Sequence, residues 1–136
     1  MYNAANLSKI LKGELLQDRG FPEIAHILLD SRKLIFPETS LFIPLVSPRR
    51  NAHQYIPELY EKGVRNFLVS EHLAQDAYPE ANIILVKDTL QALHTLVAWH
   101  RQQFHIPVIG ITGSNGKTII KEWLYQLLGK DYNIIR

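Results

Sequence analysis

Apolar positions along the chain recur at two spacings, and the changes between them mark the elements. Leu7, Ile10 and Leu11 share one helical face, with Gly13 placed to end the helix. Residues 25–29 form a short apolar run stopped by polar Asp30-Ser31-Arg32-Lys33, which predicts a strand, and residues 41–46 predict a second. Residues 55–62 carry Tyr55, Leu59 and Tyr60 at helical spacing, and Gly63 is a C-terminal stop. Strands are then expected over 66–70 and 82–86. Asp88 can cap a long helix whose Leu90, Leu93, Val97 and Phe104 fall near one face, before Pro107 forces a new segment. Residues 108–111 read as a strand, 112–116 as a glycine-containing turn and 117–128 as an amphipathic helix in which Trp123 and Leu127 are assigned to the core. Residues 133–136 start what reads as a further strand with no sheet to complete, an ending that points to truncation.

Composition narrows the function classes. With 136 residues and 46% hydrophobic content the chain can build one ordinary core, a length that suggests a domain or a fragment. Fifteen Lys and Arg against 13 Asp and Glu give a formal charge of +2, too weak to argue for nucleic acid. The lack of cysteine removes disulfides, thiolate catalysis and cysteine-ligated zinc. No apolar run reaches the roughly 18 residues of a membrane span and the N-terminus lacks a signal-peptide pattern, so no membrane is expected and a cytoplasmic location follows by default.

The strongest chemical signal is Gly110-Ile111-Thr112-Gly113-Ser114-Asn115-Gly116-Lys117-Thr118, which ends in Gly-Lys-Thr between an expected strand and an expected helix. Glycines let backbone N–H groups approach phosphate oxygens, and the helix N-terminus adds positive potential. Lys117 can reach the β and γ phosphates, and Thr118 can ligand Mg²⁺. The general Walker pattern wants glycine at position 111, where this chain has Ile111, with Gly110 one place early. The competing reading is a tight strand-to-helix turn that uses Gly113 and Gly116 for geometry alone. Arg32, at a strand end, suits bidentate binding of a diphosphate and equally suits plain solvation, and the residues leave both open. His53 by itself reads first as a loop histidine. Arg49-Arg50, His94 and His100 are taken as structural or solvated, the two histidines being six apart and so not neighbours on a helix.

The segment Thr112–Thr118 resembles the phosphate loop of the Mur ligase family, Thr-Gly-(Ser/Thr)-Asn-Gly-Lys-Thr, which also lacks the strict first glycine. Followed by Lys121-Glu122, it is similar to the members that join D-alanyl-D-alanine to UDP-N-acetylmuramoyl-tripeptide. Asp30-Ser31-Arg32-Lys33-Leu34 resembles the family's Asp-(Ser/Thr)-Arg-Lys motif, and Trp99-His100-Arg101 its connector. Residues 51–55 resemble the Asp-Gly-His-x-Phe stretch at His53, with Asn51 and Ala52 in place of Asp and Gly and Ser47 in place of a glycine.

The resemblance implies an α/β fold: a small mixed α/β UDP-substrate domain over 1–106, including the connector helix, then the first strand, phosphate loop and helix of a P-loop-type ATP-binding domain over 107–136. It implies that Ser31, Arg32 and His53 bind the UDP portion. It further implies that Thr112, Gly113, Ser114, Asn115, Gly116, Lys117 and Thr118 bind ATP, Lys117 and Thr118 acting in catalysis and Thr118 on Mg²⁺. ATP would phosphorylate the carboxylate ending the UDP-linked tripeptide, and the amine of D-alanyl-D-alanine would attack the acyl phosphate to give an amide, ADP and phosphate. The remaining catalytic parts of the family would lie beyond residue 136, so the piece alone is expected to be inactive and to self-associate through an unsatisfied strand edge. Two alternatives stand beside this reading: the related ligase that adds the third stem-peptide residue, and a non-catalytic nucleotide-sugar-binding module.

Overall fold

A computed structural model of the chain describes residues 2–20 and 23–135. It divides into two compact units, Met1–Phe104 and His105–Arg136. The first is mixed α/β. Helix α1 (Ala4–Leu11) leads into strand β1 (Glu14–Gln17), followed by β2 (His26–Leu28), β3 (Ser40–Phe42), a small hairpin of β4 (Val46–Ser47) and β5 (Arg50–Asn51), and helix α2 (Ile56–Glu61). Strand β6 (Asn66–Val69), strand β7 (Asn82–Leu85) and helix α3 (Thr89–Gln102) complete it. The main sheet has the order β1-β7-β6-β3-β2. Strands β2, β3, β6 and β7 run parallel and β1 pairs antiparallel with β7, so four carboxyl ends emerge along one edge.

Both faces of this sheet are covered, and the strands show it by strict alternation. Phe42, Phe67, Val69 and Ile83 pack on one side with Ile56 and Leu59 of α2, while Leu41, Ile43, Leu68 and Ile84 pack on the other with Leu7 of α1 and Ala92 and Leu96 of α3. Truncating a side chain such as fully buried Phe67 costs about 3–5 kcal/mol in a core of this kind. At the amino edge of the strands the buried amides satisfy each other, the Asn82 side chain donating to Asn66 at 2.7 Å.

Several expectations need correction. Residues 14–17, unassigned by the hydrophobic pattern, form edge strand β1. The strand expected over 41–46 stops at Phe42, because Pro44 has no N–H for a ladder, and Val46 starts the separate hairpin. The left-handed turn ending α1 is made by Lys12 (φ 52°), not by Gly13. Gly13 is required for space instead: an added Cβ would lie 2.9 Å from the Leu85 carbonyl oxygen and equally close to the Ile84 and Val86 side chains. Asp88 caps α3 by accepting from the Gln91 N–H at 2.9 Å, yet the buried face is Thr89, Ala92 and Leu96, whereas Leu90, Val97 and Phe104 are exposed. Helix α2 starts after a 3-10 turn over Ala52–Tyr55, and Gly63 (φ 96°) supplies the left-handed stop expected of it.

The second unit contains helix α4 (Lys117–Leu128) at the bounds expected. Residues 108–111 and 133–135 carry no strand, and Arg136, the last residue of the expected strand, lies outside the described residues. A strand exists only by pairing, and among the described residues of this unit there is no partner. Trp123 and Leu127, assigned to a core by their spacing, are exposed, because no residue from 105 to 135 is buried. Among the described residues, no helix is long and apolar enough to cross a membrane.

Candidate functional site

The carboxyl edge of the parallel strands gathers the polar segments of the first unit, and ligands of open α/β sheets bind at such edges. Asp30, Ser31 and Arg32 follow β2, the hairpin and the Ala52–Tyr55 turn follow β3, Ser70 and Glu71 follow β6, and Asp88 follows β7. An open depression of about 470 Å³ lies there, lined by Arg49, Arg50, Asn51, His53, Gln54 and Glu71 among others.

His53 is buried and both ring nitrogens are engaged. Nε2 accepts the Ser70 backbone N–H at 3.1 Å, so the proton sits on Nδ1, which donates to Asn51 Oδ1 at 2.7 Å. Asn51 also accepts the His53 backbone N–H at 3.0 Å and donates through Nδ2 to Glu71 Oε1 at 2.6 Å. Burial holds the imidazole below the usual histidine range, and the nearby Glu71 carboxylate opposes this without overcoming it. A neutral histidine with both nitrogens in use fastens the hairpin loop to the end of β6. Glu71 is not among the residues the sequence singles out, and Asn51 enters there only as a departure from the Asp of the similar stretch.

Ser31 is buried in a 3-10 turn, Ser31–Lys33, and Arg32 projects from it, its side chain 78% exposed. Asp30 caps this turn, accepting the Arg32 N–H at 3.1 Å, and takes Nε at 2.9 Å and Nη2 at 2.6 Å on its two oxygens. These hydrogen bonds from Arg32 hold the Asp30 carboxyl well below the usual carboxylate range, and the charge of Arg50 acts the same way. Arg50, read from sequence as structural or solvated, lies over the Tyr55 ring at 5.2 Å. Ser31, Arg32 and His53 thus share one edge, although only His53 lines the depression.

The seven loop residues Thr112, Gly113, Ser114, Asn115, Gly116, Lys117 and Thr118 belong to the second unit and are exposed. Gly113 (φ 148°) and Gly116 (φ 78°) take backbone conformations that side chains disfavour, and the Lys117 ammonium folds back to donate to the Gly113 carbonyl. Helix α4 has no side-chain cap and no acidic residue in its first turn, so its leading N–H groups and Lys117 form a donor set that fits an anion. Thr118 stands in that same turn, with a hydroxyl of the kind that ligands Mg²⁺ beside phosphate.

No family model matches the chain. Over 130 residues it is 35% identical to the UDP-N-acetylmuramoyl-tripeptide–D-alanyl-D-alanine ligase of Bacillus subtilis, covering 95% of this chain and 28% of that protein. It is 33% identical over 130 residues to the UDP-N-acetylmuramoyl-L-alanyl-D-glutamate–2,6-diaminopimelate ligase of Phocaeicola vulgatus, covering 91% of this chain and 26% of that one. A crystal structure of MurF from Acinetobacter baumannii matches with a TM-score of 0.80 and 30% identity, covering 97% of this chain and 28% of that chain. The chain therefore spans less than a third of the length of these relatives. By sequence and by fold alike, it is similar to Mur ligases over nearly the whole of its own length.

Proposed function

We propose that this chain is the part of a ligase, joining D-alanyl-D-alanine to UDP-N-acetylmuramoyl-tripeptide in peptidoglycan precursor synthesis, that recognises the UDP end and begins the ATP site. The observation that carries the reading is one continuous stretch of similarity to a ligase of that name, long enough that Arg32 and Lys117 must both fall within it. Residues 1–106 would grip the nucleotide sugar, through Arg32 and buried Ser31, on an edge that His53 keeps in shape. Residues 107–136 would begin the ATP-binding domain.

In this reading ATP supplies the phosphoryl group that activates the tripeptide carboxylate for attack by the D-alanyl-D-alanine amine. The chain's own contribution is positioning and charge neutralisation: Lys117 and the N–H groups of Thr112–Thr118 hold the phosphates, and Thr118 would hold Mg²⁺. In this reading the 136 residues alone would be inactive.

The test is an assay of a complete ligase carrying this sequence, offered D-alanyl-D-alanine in one arm and diaminopimelate or lysine, with the corresponding dipeptide acceptor, in the other. The reading expects product only in the first arm and a loss of about 10²–10³-fold or more in turnover for Lys117→Ala. Product only in the second arm would assign the chain to the ligase that adds the third residue. Tight UDP-sugar binding with no ligation in either arm would make it a binding module.

A further inference from the structure

Arg32 is held by a carboxylate two residues away, and the manner of holding is specific. A guanidinium has two hydrogen-bonding edges, Nε with Nη2 and Nη1 with Nη2. Asp30 takes the first edge as a parallel fork, at 2.9 and 2.6 Å, leaving the second for a ligand. The carboxylate is the anchored partner: its side chain is 23% exposed against 78% for Arg32, and its Oδ1 is also fixed by the Arg32 backbone N–H. The arginine is therefore folded back over its own turn with one edge outward, where an extended side chain would lose rotamer freedom on binding. Asp30 also cancels one charge locally, but Arg50, stacked over Tyr55, adds a second cation to the same region.

We propose that Asp30 is a positioning residue that presents the Nη1–Nη2 edge of Arg32 to the diphosphate of a nucleotide-sugar ligand, and not a competitor that occupies Arg32 in the ligand's place. This rests on the substrate reading above. The two roles predict opposite signs. A positioning carboxylate strengthens diphosphate binding, and a competing one weakens it.

The test is calorimetric titration of the whole chain with UDP and, separately, with uridine, which shares the base and ribose but has no phosphate. Asp30→Asn keeps an oxygen for the Arg32 N–H, so the turn's cap is retained while the charged fork is lost. Positioning predicts UDP binding weakened about tenfold, uridine binding unchanged, and no further effect of Asp30→Asn once Arg32 is alanine. Arg32→Lys, which leaves Asp30 and its cap in place, should show the same loss. Unchanged or tighter UDP binding by Asp30→Asn, with Arg32→Ala still damaging, would overturn the role of Asp30 alone. An equal loss for uridine would reduce Asp30 to a structural cap. UDP binding that is absent, or indifferent to Arg32→Ala, would overturn the substrate reading and this proposal with it.

Discussion

Replacing His53 by alanine would strip the Ser70 N–H of its acceptor and the Asn51 side-chain oxygen of one of its two donors in one step, by removing a ring that is itself buried. A loss of about 1–3 kcal/mol in unfolding free energy by urea titration is expected, the cost of leaving a buried polar group unpaired. The same burial sets a pH dependence. Because the folded imidazole has a lowered pKa, the unfolded chain takes up a proton that the folded chain refuses as pH falls below about 6.5. Stability from this group is therefore complete above that value and is lost as pH falls toward the lower folded pKa. His53→Gln should flatten this part of the stability–pH curve, and an unchanged slope would remove the assignment of a neutral, buried His53. At this scale the sequence was partly legible. Arg32 and His53 stood out because each lies in a short motif, but Glu71 is twenty residues from Asn51 and meets it only once the segments after β3 and β6 are brought to one edge.

Between elements, steric fit decides more than local pattern. Gly13→Ala would push a methyl group against the Leu85 carbonyl, a backbone atom that cannot rotate away, and should cost about 1–3 kcal/mol in a thermal or urea melt. Gly20, with nothing within 4 Å of an added Cβ, meets no such steric barrier; its positive φ of 76° is the only strain there. Asp88→Ala should cost about 1 kcal/mol through the loss of the α3 cap. Periodicity located α2, α3 and α4 but chose a neighbouring stripe of α3, since Leu90 and Val97 are as apolar as the residues that α1 and the sheet cover. It passed over β1, whose four residues carry too little alternation to announce a strand and which is ordered by pairing with β7. Residues 108–111 show the converse: strand-like composition gives no strand where no neighbouring backbone is offered.

For the whole molecule, the parallel order of β2, β3, β6 and β7 is what turns scattered polar segments into one edge, and that order was not readable from hydrophobic runs alone. The proposed phosphate loop could be picked out at Thr112–Thr118, because the chemistry it would carry rests on consecutive residues and needs only a helix start behind them, which α4 supplies. The chain spans 28% of the length of the Bacillus subtilis ligase it matches, so the recognition proposed for its first unit can be measured apart from catalysis. The most direct test of the account is calorimetric titration of the chain with UDP-N-acetylmuramoyl-tripeptide, with Arg32→Ala and Lys117→Ala as the two variants. The account predicts binding that Arg32→Ala weakens by about tenfold or more and that Lys117→Ala leaves alone. No binding, or binding indifferent to Arg32→Ala, would contradict the assignment of the carboxyl edge to the UDP end of the substrate.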